Sequence, residues 1–156
     1  MKQFKILIDT KGSDNGAEMM IRGADLALRK YPELSVLLVG DTDVMKRECE
    51  RLSMPMDRVE RLEAPETITN YDSPAEALFV KRDSSLVKAL EALSTRDDLV
   101  GLINAGSTGA LIAGSMRYLS GKDRVRPALA AVLPSENGGF TCLVDKIGRA
   151  SCRERV

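Results

Sequence analysis

The residues best placed to do chemistry in this sequence are Asn104, Ala105, Gly106, Ser107, Thr108 and Gly109. They follow a short apolar run, Leu99 to Ile103, of the kind that forms a buried strand, and precede a pattern compatible with a helix to about Leu119. Strand, glycine-rich turn and helix together present free backbone N–H groups to an anion. The first helical turn has unpaired donors, its dipole end is positive, and glycines let an oxyanion approach closely. Ser107 and Thr108 add hydroxyls. The same residues also read as a plain helix start, capped by Asn104 or Ser107, with Gly106 and Gly109 easing a tight turn. The stretch is not a P-loop, because no Lys follows the glycines, and it is not G-x-G-x-x-G.

Other residues of the right type fall in loops. Asp9, Gly12, Asp14 and Asn15 follow a first strand, and Asp41 follows a second. Asp14, Asp43 and Asp83 each have an alternative reading as helix caps. Lys81-Arg82, ahead of Asp83-Ser84-Ser85, is the compact basic pair near a helix start; it would hold an anion or sit in a solvated loop. Met19, Met20, Met45 and Met54 read as core filler. His is absent, which excludes Ser-His-Asp and Cys-His catalysis and His-ligated metal sites in this stretch. Cys49, Cys142 and Cys152 lack metal spacing and leave one over, so reduced thiols are expected.

The elements that must position these loops alternate. Phe4–Ile8 reads as a strand, followed after Lys11–Gly16 by a helix to Lys30 with Met20, Ala24, Ala27 and Leu28 on one face, stopped by Pro32. Val36–Val39 is a second strand, and Thr42 or Asp43 caps a helix striped by Met45, Cys49 and Leu52. Val59–Leu62 is a weak strand and Ala64–Tyr71 a loop. Ser73-Pro74-Ala75-Glu76 is a capping box with Pro at the first helical position. Asp83-Ser84-Ser85 opens a helix striped by Leu86, Leu90 and Leu93. Two further strands are expected at Ala128–Leu133 and Thr141–Val144, with a turn at Gly138-Gly139. Alternating β and α elements predict an α/β fold: an open, mostly parallel sheet with helices on both faces and ligands outside the carboxyl ends of the strands.

Length and composition fit one domain with a real core: 156 residues, 44% hydrophobic and 29% charged. No apolar run approaches the ~20 residues of a membrane span. Met1–Lys5 leads straight into a strand, so no signal peptide is expected and the location is expected to be cytoplasmic. With 23 basic and 23 acidic residues and no basic patch interleaved with aromatics, nucleic acid is not an expected partner. Residues 147–156 resemble the translation of a common sequencing-library adapter and are set aside from the fold. Removing their three Arg and one Glu leaves 20 basic and 22 acidic residues, a charge of −2. The expected organisation is residues 1–145 as the N-terminal part of an α/β domain, followed by a non-native tail at 146–156.

Three stretches taken together resemble one family. Asp9-Thr10-Lys11-Gly12-Ser13-Asp14-Asn15 is similar to the loop after strand one of the bacterial phosphate acyltransferases of phospholipid synthesis. Tyr71-Asp72-Ser73-Pro74-Ala75-Glu76-Ala77-Leu78, running to Lys81-Arg82-Asp83-Ser84-Ser85-Leu86, resembles their Asp-Ser-Pro…Lys-Lys-Asp-Ser-Ser block. Asn104–Leu111 is similar to their Ser-Ala-Gly-Asn-Thr-Gly-Ala stretch, and Arg126–Ala130 with Leu133-Pro134 to the strand that follows. Lys11, Ser13, Ala17, Asn104 and Ser107 stand where that family usually has Met, Gly, Pro, Ser and Asn. The resemblance covers residues 4 to 145, under half of a family member.

The resemblance implies a fold like isocitrate and isopropylmalate dehydrogenases and phosphotransacetylase. It also implies a reaction in which an acyl group on acyl carrier protein passes to inorganic phosphate, giving acyl phosphate for phosphatidic acid. Under it, Asp14, Ser107 and Thr108 are the expected catalytic residues, with Thr108, Ser107 and Gly109 on the phosphate or the oxyanion. Asp9, Gly12, Asn15, Asn104 and Gly106 are expected to line the substrate site, and Lys81, Asp83, Ser84 and Ser85 to flank it. No metal or redox cofactor is implied. The implied partners are acyl-acyl carrier protein and phosphate, a second copy in a homodimer, and a downstream membrane glycerol-phosphate acyltransferase, which would favour a place at the inner face of the membrane. The 156-residue chain by itself is expected to be inactive. The alternatives are an acyl-CoA phosphate acyltransferase and a non-catalytic phosphoryl- or nucleotide-binding α/β module.

Overall fold

The computed structural model describes residues 4–119, 128–136 and 138–146. The first of these segments is α/β. Strand β1 (Phe4–Asp9) leads to helix α1 (Gly16–Lys30), β2 (Leu34–Gly40), α2 (Thr42–Arg51), a 3-10 turn (Met56–Arg58) and β3 (Val59–Glu63). Then come α3 (Pro74–Val80), α4 (Ser85–Thr95), β4 (Leu99–Ile103) and α5 (Thr108–Tyr118). The four strands form one parallel sheet in the order β3-β2-β1-β4. The predicted open parallel sheet with helices on both faces is present.

The two central strands, β1 and β2, are buried on both sides over most of their length, which explains why they carry apolar runs rather than alternating patterns. Successive side chains point to opposite faces. Ile8, Val36 and Leu38 pack with Ile21, Ala24 and Leu28 of α1 and with Met45 and Cys49 of α2. Leu7, Leu37 and Val39 pack on the other face with Ala89 of α4 and Leu99. A third cluster joins Ala77 and Leu78 of α3, Leu86, Val87 and Leu90 of α4, and Ala110 of α5. That cluster fixes where α5, and therefore its N-terminus, stands. Where β4 joins β1 the register shifts between Lys5 and Ile6, and Val100 is left exposed on this edge strand.

Several expectations change in detail. Helix α2 is capped by Asp41, whose carboxylate accepts from the Val44 N–H at 3.0 Å, and not by Thr42 or Asp43. Ser73 occupies the N-cap of α3, but its hydroxyl makes no cap hydrogen bond; Pro74 at the first position supplies the start. The buried face of α1 centres on Ile21, Ala24 and Leu28 and includes Asp25, while Met20 and Ala27 lie at its rim. Met45 and Met54 are core residues, whereas Met19 is half exposed.

Strands β5 (Ala128–Pro134) and β6 (Phe140–Lys146) do not extend the parallel sheet. They pair with each other, antiparallel, through a turn in which Gly138 takes a φ of +76°. The expected glycine turn is there, and the pairing it closes is a hairpin. Cys49 is buried and Cys142 exposed, both as free thiols; Cys152 and the tail at 147–156 lie outside the described residues. No helix among the described residues is long and apolar enough to cross a membrane.

Helix α5 is seated through its small residues. A Cβ at Gly114 would stand 2.4 Å from Leu90 Cδ1 and 3.4 Å from Leu78 Cδ2. Gly114→Val is therefore expected to lower stability by about 1–3 kcal/mol through overpacking. Helix propensity would return only about 0.5 kcal/mol of this. Denaturant unfolding checks it, and unchanged stability would mean that α5 is not held against α3 and α4 as described.

Candidate active site

The loop after β1 leaves the sheet without leaving β2. Thr10 is buried, and both its N–H and its hydroxyl donate to the Val39 carbonyl at 2.9 Å. Gly40 makes room for that hydroxyl, since a Cβ there would stand 2.1 Å from Thr10 Oγ1. Two residues on, Gly12 adopts a φ of +77°, a conformation that favours glycine. Its backbone lies against the turn after β4: a Cβ at Gly12 would stand 3.2 Å from Gly106 Cα and 3.6 Å from the Ile68 carbonyl oxygen. Two glycine loops and the segment after β3 thus meet at the carboxyl end of the sheet.

Asp9 sits beneath this contact, 2% exposed. One carboxylate oxygen accepts from the Lys11 N–H at 2.9 Å and the other from Asn104 Nδ2 at 2.9 Å. The Ser85 hydroxyl faces the same carboxylate. Burial pushes the Asp9 carboxyl above its ordinary range, and the donations from Ser85, Lys11 and Asn104 oppose that rise. Asn104 in turn accepts the Gly106 N–H on Oδ1 at 2.8 Å.

The turn then enters α5. Ser107 is its N-cap: the hydroxyl oxygen accepts from the Ala110 N–H at 3.4 Å and the carbonyl from Leu111 N–H at 3.0 Å. Among the described residues nothing accepts from the N–H groups of Thr108 and Gly109. Thr108 is exposed. A Cβ at Gly109 would press on Pro74 Cγ at 3.0 Å, so α3 forms the wall beside these donors.

The end of β3 and the segment after it are held by three lysines. The carbonyls of Glu63, Pro65 and Thr67 accept from Lys88, Lys11 and Lys81 at 3.0, 2.6 and 3.0 Å. Glu66 bridges to the start of α4, its N–H donating to the Asp83 carbonyl and its carbonyl accepting from the Ser85 N–H. Lys81 also pairs with Asp72 at 2.8 Å. That pairing, with two donations from Thr69, holds the Asp72 carboxyl down to about 2.

The structure therefore brings together Asp9, Gly12, Ser85, Asn104 and Gly106, with Ser107, Thr108 and Gly109 on the same turn. Lys81 is engaged by Asp72 and Thr67, and Asp83 by Lys88 at 3.1 Å on the surface. Ser84 is fully buried as the cap of α4, accepting from the Val87 N–H. Asp14 and Asn15 are exposed in the turn before α1. Asn15 holds the N-cap position there without a side-chain bond, so Asp14 is not a cap. Sequence reading did not single out Thr10, Gly40 or Ile68. Only the glycine directly after an apolar strand signalled the first two.

Comparison with known proteins bears on this arrangement. Residues 4–155 match the family described as fatty acid synthesis protein. The chain belongs to that family. Among curated relatives in it, a phosphate acyltransferase of Halothermothrix orenii is 39% identical over 143 residues, 91% of this chain and 42% of the relative. One of Clostridium tetani is 36% identical over 152 residues, 96% and 45% respectively, and one of Clostridioides difficile 32% over 154 residues, 97% and 44%. The chain thus spans under half the length of the curated relatives it matches.

For this member of the fatty acid synthesis family, two outcomes are expected. Asp14→Asn leaves unfolding free energy within about 0.5 kcal/mol of the parent, because no cap is lost. Denaturant unfolding that shows a loss of about 1–2 kcal/mol, the worth of a helix cap, would contradict this. The Asp72 carboxyl, depressed to about 2, contributes stability that is complete above the ordinary carboxylate range and is lost as pH falls through about 2. A carboxyl-carbon NMR titration reads this directly, and a midpoint near the ordinary value of about 3.9 would show that Lys81 does not hold Asp72.

Proposed function

We propose that this chain is the N-terminal, phosphate-handling part of an acyltransferase. The enzyme would pass a fatty acyl group from acyl carrier protein to inorganic phosphate and so supply acyl phosphate for phospholipid synthesis. The observation that carries the reading is the pair of N–H groups, Thr108 and Gly109, at the start of α5, which have no acceptor among the described residues, with Pro74 packed beside Gly109. The names of the curated relatives, phosphate acyltransferases, support the same chemistry.

A phosphate oxygen attacks the thioester carbonyl, the tetrahedral oxyanion collapses, and the carrier thiolate leaves. Phosphate is largely ionised near neutral pH, so the nucleophile needs little help from a base, in keeping with a sequence without His. A helix terminus contributes only ~0.3–2 kcal/mol to anion binding. Enzymatic acceleration requires ~8 kcal/mol or more. Orientation of the two reactants can supply ~7–11 kcal/mol and an oxyanion donor ~3–4 kcal/mol. Positioning therefore dominates. The role of the converging loops is to hold phosphate on the α5 amides and the Thr108 hydroxyl, against the thioester.

In the full-length protein, Thr108→Val is expected to raise the KM for phosphate about tenfold or more, the worth of a hydrogen bond to a charged group, at unchanged thermal stability. Phosphate-dependent loss of acyl-acyl carrier protein thioester is the measurement. Unchanged phosphate dependence would remove Thr108 from the site, and binding of phosphate without thioester loss would favour a non-catalytic module.

A further inference from the structure

Between β1 and α5 a chain of hydrogen bonds has a donor fixed at each end. The Lys11 N–H donates to Asp9, Asn104 Nδ2 donates to Asp9, and the Gly106 N–H donates to Asn104 Oδ1, at 2.9, 2.9 and 2.8 Å. Both end groups are backbone N–H and cannot reverse. Two side chains stand between them, and with every carboxyl ionised only one combination of types satisfies all three links. A carboxylate accepts on both sides, and an amide accepts on one side and donates on the other. With one carboxylate and one amide every link pairs a donor with an acceptor. With two amides, one link opposes two N–H groups however either amide is turned. With two carboxylates, two negative oxygens face each other in a buried place. The Ser85 hydroxyl, which also faces Asp9, can turn to donate or accept and so sets no constraint of its own.

The outcome of this pairing reaches the phosphate site. Gly106 N–H is consumed by Asn104 and is not available to an anion, and its position sets the turn that opens α5. Asp9 is 2% exposed, and both of its oxygens are occupied. We propose that Asp9 and Asn104 are positioning residues, not phosphate ligands: together they form a relay that locks the Asn104–Gly109 turn to the loop after β1, so that the Thr108 and Gly109 amides stand ready for phosphate. This rests on the phosphate reading of the α5 N-terminus. It revises the expectation that Asp9, Asn104 and Gly106 bind substrate.

The parity of the relay makes it testable by exchange. Asp9→Asn and Asn104→Asp each break one link. The double variant Asp9→Asn/Asn104→Asp restores all three with the charge moved by one position. The amide introduced after β1 would accept from Lys11 and donate to the carboxylate introduced after β4, which would accept from Gly106. The experiment uses the full-length protein and two readouts, the phosphate KM with kcat, and the hydrogen-exchange rate of the Gly106 amide. Each single variant is expected to raise phosphate KM about tenfold or more and to speed Gly106 exchange by a similar factor, with the exchanged pair back within about threefold of the parent in both. Single variants too unstable to assay beside a folded, active exchanged pair support the relay equally. An exchanged pair that fails to fold, or is as impaired as the worse single variant, overturns it, because a ligand role depends on which position holds the charge. An Asp9→Asn variant that matches the parent also overturns it, since two amides have no protonation state that restores the lost link. If the parent cleaves thioester without phosphate dependence, the functional reading falls, and Gly106 exchange in the three variants still decides the relay.

Discussion

The site depends on one steric constraint, the contact of two glycine backbones. Gly12 and Gly106 approach so closely that a Cβ on the first would stand 3.2 Å from the Cα of the second. A side chain at Gly12 would need the Gly106 backbone to give by a few tenths of an ångström, and the φ of +77° there is one that residues other than glycine rarely adopt. Everything around the contact adjusts to it. Thr10 and Gly40 bring the first loop out of the sheet at the right height, and Asp9 ties it to the second loop from below. The lysine-held segment after β3 closes the third side through Ile68.

The polar groups at this place divide into those that build and those that remain free. Asp9, Ser84, Asn104 and the Gly106 N–H are all spent on internal bonds. Burying an unpaired polar group costs about 1–3 kcal/mol, so their mutual satisfaction is what allows a carboxylate to lie under an anion site at all. The groups left over are the first two amides of α5 and the Thr108 hydroxyl, backed by a helix dipole. Lys81 and Lys11, which composition alone would nominate as the phosphate cations, each hold a carbonyl of the segment after β3.

Much of the fold was legible because its signals are local. The apolar runs at Phe4–Ile8 and Leu99–Ile103, the break at Pro32 and the Gly-rich turn before α5 each specify an element by themselves. Cap identity was not legible at α2, where Thr42 or Asp43 was the expected cap and the residue before them, Asp41, takes the position. The strands β5 and β6 and the glycine turn between them were legible too, whereas their antiparallel pairing was not, because an apolar run carries no information about the direction of its partner. At the site, the sequence identifies the loops that meet but not the division of labour within them. Asp9 and Asp14 are chemically the same residue five positions apart, yet one is a buried acceptor of two hydrogen bonds and the other an exposed turn residue.

The central claim, that phosphate docks on the start of α5, is tested most directly by adding inorganic phosphate to the isotopically labelled full-length protein and following the backbone amides by NMR. The account expects saturable shifts largest at Thr108 and Gly109, with the Gly106 amide, already bonded to Asn104, moving little. Shifts centred on Lys81 and Arg82, or no saturation at any amide of the Asn104–Gly109 turn, would contradict it.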